Sequence, residues 1–108
     1  MKEKNFSEKD WQLFKNKIAS WQEAYIDRLN QEYIELLSKD AAPSEKFWQL
    51  NKRMKKDLKK TGVQLEMKRS RLIVNLLSLI NEGAIGFEDL EGFSEELKET
   101  IYAFIESE

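Results

Sequence analysis

Glu32 and Glu35 stand one helical turn apart, a spacing that puts two carboxylates on one helix face. Helical metal-dependent nucleotide hydrolases use such a pair to help hold magnesium, but they add further acids from neighbouring helices. Here the neighbouring stretches offer Asp57 and Glu66, both inside a strongly cationic run. The pair therefore reads first as a solvated face plus one structural acid. A metal-dependent nucleotide-processing bundle is the third-ranked reading. Gly83-x-x-Gly86 is followed by no Gly-Lys-Ser/Thr and preceded by no strand pattern, so it is not a phosphate loop. Asp89-Leu90-Glu91-Gly92 lacks the ligand spacing of a calcium loop. The chain has no His and no Cys, which removes imidazole bases, thiolate nucleophiles, disulfides and zinc sites. The expectation is a non-enzymatic protein with no cofactor and no metal.

The second pattern with chemical content is basic. Residues 52–71 carry nine Lys/Arg against Asp57 and Glu66, a net of +7, in a chain whose overall charge is −2. Lys52, Lys55, Lys56 and Lys59 share one side of a helix with Trp48. An aromatic in a basic field suits an acidic protein partner. It equally suits nucleic acid, with lysines on phosphates and the indole on a base. The nucleic-acid reading ranks second, because no reader motif accompanies the charge. Against both stands an ordinary soluble lysine face with Trp48 packed on another helix. Residues 82–108 carry nine acids against Lys98, a net of −8, and could neutralise the lysines within or between chains. Membrane association is not expected.

These residues must be positioned by helices. The chain has 108 residues, 35% of them charged, with one Pro and four Gly, a balance that predicts a single all-α domain over 1–108. The start leads straight into a polar helical pattern, without a visible signal peptide, so a cytoplasmic location is expected. The most apolar stretch is Leu72–Ile80, where seven of nine residues are large and apolar. It is expected to end a helix over about 63–82, stopped by Asn81-Glu82-Gly83. Asn75 is placed on that helix's polar strip with Lys68 and Arg71. A first helix of about 7–38 is capped by Ser7 and stapled by Phe6 and Trp11, with a stripe running from Trp11 through Leu36. Pro43 opens a second helix of about 43–60, whose apolar side is Phe47, Leu50, Met54 and Leu58. Thr61 and Gln64 are candidates for a capping box at the start of the third helix. Helices 43–60 and 63–82 form a hairpin rather than one continuous rod. A helical turn at 87–90 and a capped helix of about 94–106 complete a small bundle.

Lengths then generate an expectation about assembly. The first helix is about 48 Å long and its two successors about 27–29 Å. If they fold back along its C-terminal half, Trp11, Phe14, Ile18 and Trp21 are left uncovered. Apolar stripes of that size mark interfaces, which predicts a homodimer through these four residues. The alternatives are a bend near Ala19-Ser20, or a C-terminal segment folded over the stripe. Glu32, inside the apolar stripe, and Arg69, on the apolar side of its own helix, are a candidate buried ion pair.

The segments Trp21-Gln-Glu-Ala-Tyr25, Glu45-Lys-Phe-Trp48, Lys68-Arg-Ser70 and Asp89-Leu-Glu-Gly-Phe-Ser94 resemble a group of small all-helical proteins of Gram-positive bacteria that have no assigned activity. The resemblance extends over nearly the whole chain. It implies a bacterial cytosolic protein and carries over no site residue.

Overall fold

The computed structural model describes residues 7–107. Phe6, half of the expected staple, lies outside them. The elements are α1 (Glu8–Leu37), α2 (Pro43–Asp57), a 3-10 turn (Arg69–Arg71), α3 (Leu72–Asn81), a 3-10 turn (Phe87–Leu90) and α4 (Glu95–Glu106). Among the described residues there is no strand. The chain is thus an all-α bundle with one long N-terminal helix, a helical hairpin and a short C-terminal helix.

Local chemistry explains most boundaries. The Ser7 hydroxyl accepts the Asp10 N–H at 3.1 Å, and the Ser94 hydroxyl accepts the Leu97 N–H at 3.1 Å. Pro43 occupies the first turn of α2. Gly83 follows the C-cap of α3 with φ +78°, a conformation that glycine adopts without a Cβ penalty.

The third helix departs from expectation. It begins at Leu72, not at residue 63, and residues 64–68 have no regular secondary structure. Lys68 is extended, at φ −137° and ψ 141°. The Thr61–Gln64 capping box does not form. Gln64 instead donates its amide to the Leu58 carbonyl at 2.6 Å, and the Thr61 N–H goes to the Glu82 carboxylate at 2.9 Å. Tertiary bonds hold this segment out of the helix that its composition favours. Asn75, expected on a polar strip, is buried and donates its amide to the Glu66 carbonyl at 2.9 Å.

That irregular segment decides the architecture. Extended chain advances about 3.3 Å per residue against 1.5 Å for a helix. The chain therefore passes beyond the C-terminal half of α1, and α3 and α4 pack on its N-terminal half. Phe14, Leu76, Leu79, Leu90, Leu97 and Ile101 are the fully buried apolar centre of that core. Trp11 and Ile18 join them, Trp21 is half-buried against the cluster, and Trp21 stacks on Phe93 with ring centroids 6.5 Å apart. The expected dimer interface of Trp11, Phe14, Ile18 and Trp21 is thereby corrected: these residues are covered by their own chain. The Glu32–Arg69 pair is corrected too. Arg69 sits at the far end of α1, 2.8 Å from Glu8, while Glu32 pairs with Arg53.

The molecule is elongated, with principal extents of 57 × 28 × 22 Å. One end is the α1/α3/α4 core, and the other is the α1–α2 hairpin. Among the described residues no helix is long and apolar enough to cross a membrane.

Candidate interaction surface

Polar groups bridge the two helices of the hairpin. The Lys46 ammonium donates to the carbonyls of Leu37 at 2.9 Å and Lys39 at 3.1 Å, closing the negative end of α1. Arg53 pairs with Glu32 and, at 3.1 Å, with Asp57 one turn on. The Tyr33 hydroxyl donates to Asp57 at 2.7 Å, and Asp57 is buried. Burial, and then the hydrogen bond to Asp57, push the Tyr33 phenol up to about 12. The hydrogen bond to Glu32 holds the Arg53 guanidinium above its usual range.

Because Lys46, Arg53 and Asp57 face α1, the apolar row of α2 does not. At 100° per residue, Phe47, Met54 and Leu58 lie about a quarter turn away from the contact. On α1, Leu37 is displaced by a similar angle and Ile34 by more, towards the outer edge of the helix. Angular sense reverses between antiparallel helices, so both rows emerge on the same side of the hairpin. Ile34, Leu37, Phe47, Trp48, Met54 and Leu58 are all 45–63% exposed. Trp48 meets Phe47 edge-on, with centroids 5.0 Å apart and planes at 86°. Phe47, Met54 and Leu58, read from the sequence as the apolar side of the second helix, are left without the cover of the third: their helix leans on α1 by its polar edge, and α3 is carried past them.

Trp48 stands in the basic field read from the sequence. Lys52, Lys55, Lys56 and Lys59 are exposed around it. Among the described residues none of the four pairs with a carboxylate, and the acidic C-terminal segment does not reach them. The structure thus brings the five residues of the expected partner face together, and adds an apolar strip beside them. Glu35 lies on α1 with Glu32, which is engaged by Arg53. Among the described residues no group of three or more acidic side chains is arranged to hold a metal ion.

The loop that joins the hairpin to α3 is pinned. The Glu82 carboxylate accepts the N–H groups of Thr61 at 2.9 Å and Gly62 at 3.0 Å, and the Gln22 amide donates to the Thr61 carbonyl at 3.2 Å. Gly62 lies against the Tyr25 ring, which a Cβ there would overlap. The Arg28 guanidinium sits 5.2 Å above that ring and donates to the Gly83 carbonyl at 2.7 Å. Near the other end of α1, the Gln12 amide and then Arg69 hold the Glu8 carboxyl below its usual range.

Sequence reasoning missed the hairpin's exposed face, although a signal was present. The apolar side of α1 broadens through Ile26, Ile34 and Leu37 where α2 runs beside it, giving the hairpin more apolar perimeter than one mutual contact can bury.

In comparison with known proteins, the chain matches no family model, no curated protein and no solved structure.

Proposed function

We propose that this chain is a non-enzymatic protein-interaction protein whose working surface is the apolar side of the α1–α2 hairpin. The observation that carries this reading is six large apolar side chains, 45–63% exposed, on two adjoining helices, five of them in the apolar rows and Trp48 at the lysine edge beside them. Patches of this kind mark association sites on otherwise well-packed monomers. The setting that goes with this reading is the bacterial cytoplasm. A photoreactive residue at position 54 is expected to cross-link a protein under native conditions. The same residue at Val74, an exposed apolar position on α3, serves as control. Equal labelling from both positions would remove the hairpin as the working surface.

A second reading is supported by Trp48 among four lysines that are without carboxylate partners among the described residues. As a nucleic-acid interface, this face would give binding whose log affinity falls with log salt at a slope of about −4 to −5, for roughly five phosphate contacts. Anisotropy of labelled duplex DNA and single-stranded RNA, with Lys55→Glu/Lys59→Glu as control, separates the two readings. No binding at low salt retires the nucleic acid.

A further inference from the structure

The two rims of the exposed face carry opposite charge. At 100° per residue, the exposed acids Glu23 and Asp27 share the outer edge of α1 with Ile34, and the exposed Lys55 and Lys59 lie beyond the apolar row of α2. A face with one acidic and one basic rim complements itself under one choice of two-fold axis. With the axis parallel to the helices, α1 of one copy lies over α2 of the other, and acid meets base. With the axis across the helices, α2 lies over α2 and the lysine rims oppose each other.

We propose that the occupant of the hairpin face is a second copy of this chain, rotated about an axis parallel to the hairpin to form an antiparallel four-helix bundle. This rests on the reading of the hairpin as an interaction surface. The pairing Tyr33–Asp57 and the bond from Lys46 to Leu37 set the axial register between the two helices. A two-fold axis along the helices preserves axial height, so Asp27 stands opposite the partner copy's Lys59, and Trp48 opposite its Leu37. The two apolar rows close on each other. Six half-exposed side chains, at about 150–250 Å² for a whole aromatic and somewhat less for an aliphatic one, present on the order of 500 Å². Two copies together then bury about 1,000 Å², the lower bound of a specific interface. Antiparallel neighbours with short connections are also the ordinary geometry of four-helix bundles.

The test is the mass of the full chain by light scattering and sedimentation equilibrium over a concentration series. A dimer is expected, with Leu58→Glu monomeric and its helical circular dichroism intact, since Leu58 is exposed in the single chain. Asp27→Lys and Lys59→Glu, each acting twice across a two-fold interface, are each expected to raise the dimer dissociation constant about tenfold. The double exchange restores it. A chain that stays monomeric while position 54 cross-links a different protein overturns the second copy and leaves the interaction surface standing. A monomer with no specific cross-link overturns both. A dimer unmoved by Leu58→Glu places the interface elsewhere, and a dimer indifferent to the charge exchanges refutes the axis.

Discussion

The carboxylate of Asp10, in the first turn of α1, accepts both the backbone N–H of Ser94 at 2.8 Å and its hydroxyl at 2.7 Å, across 84 residues of sequence. Ser94 is at the same time the N-cap of α4, with its hydroxyl oxygen accepting the Leu97 N–H. One buried acid thus joins two helix N-termini, where two sets of unpaired N–H groups favour negative charge.

Removing that acid leaves two part-buried donors without their acceptor. Asp10→Ala is expected to lower stability by about 2–3 kcal/mol, in the range for stranded buried polar groups. Urea unfolding measures it. A loss below about 0.5 kcal/mol would show that water replaces the carboxylate, as it does at exposed caps.

The Tyr33–Asp57 bond predicts a pH dependence. The Tyr33 phenol is pushed up to about 12 from an ordinary value of 10.0, so the fold favours the protonated form. Its contribution is complete below pH 10 and is lost as pH rises towards 12. Tyr33→Phe is expected to be less stable than the native chain at neutral pH, by about 1 kcal/mol for one hydrogen bond. That gap should narrow between pH 10 and 12. A gap constant across the window would mean that Tyr33 titrates alike in both states.

Gly62 is a steric prediction. A Cβ there overlaps the Tyr25 ring, which is itself buried beneath the Arg28 guanidinium. Gly62→Ala is expected to cost about 1–3 kcal/mol, the range for overpacking a closed site. Gly62→Ala combined with Tyr25→Leu should cost less than the two changes added separately. Additive losses would show that the ring moves aside freely.

The two halves of α1 should respond differently to truncation. Phe14 is fully buried, and Phe14→Ala is expected to cost about 3–5 kcal/mol. Met54→Ala, at a half-exposed position on the hairpin, should change the stability of the single chain by less than about 0.5 kcal/mol. Measured at dilution, where association is absent, this contrast separates core from interaction surface. A Met54→Ala loss as large as that at Phe14 would put the hairpin face inside a core.

What the sequence made legible was local. Ser7, Pro43, Gly83 and Ser94 act on the residues next to them, and the helix ends they mark lie within a residue or two of expectation. The expected helix over 63–71 failed because its residues favour helix intrinsically while long-range bonds decide otherwise. The Glu82 carboxylate takes the N–H groups of the loop, and Asn75 takes the Glu66 carbonyl. That one error moved two surfaces. With α3 assumed to pair with α2 along the C-terminal half of α1, Trp11 and Phe14 looked bare and Phe47 and Met54 looked covered. The reverse holds, because amphipathicity says that a face prefers cover and not what supplies it. Trp48 and its lysines were legible as a group because helical spacing alone gathers them.

The irregular segment at 64–68 also divides α1 between two cooperative units. Its N-terminal half is locked into a core whose opening requires global unfolding. Its C-terminal half is held by Arg53, Asp57 and Lys46, groups that water can compete for once the hairpin frays. Amide hydrogens around Phe14 and Ile18 should therefore exchange at the rate of whole-molecule unfolding, and those around Ile34 and Leu37 far faster. A partner seated on the hairpin would slow the fast set and leave the slow set unchanged. A single continuous helix would then report occupancy at one end and fold integrity at the other.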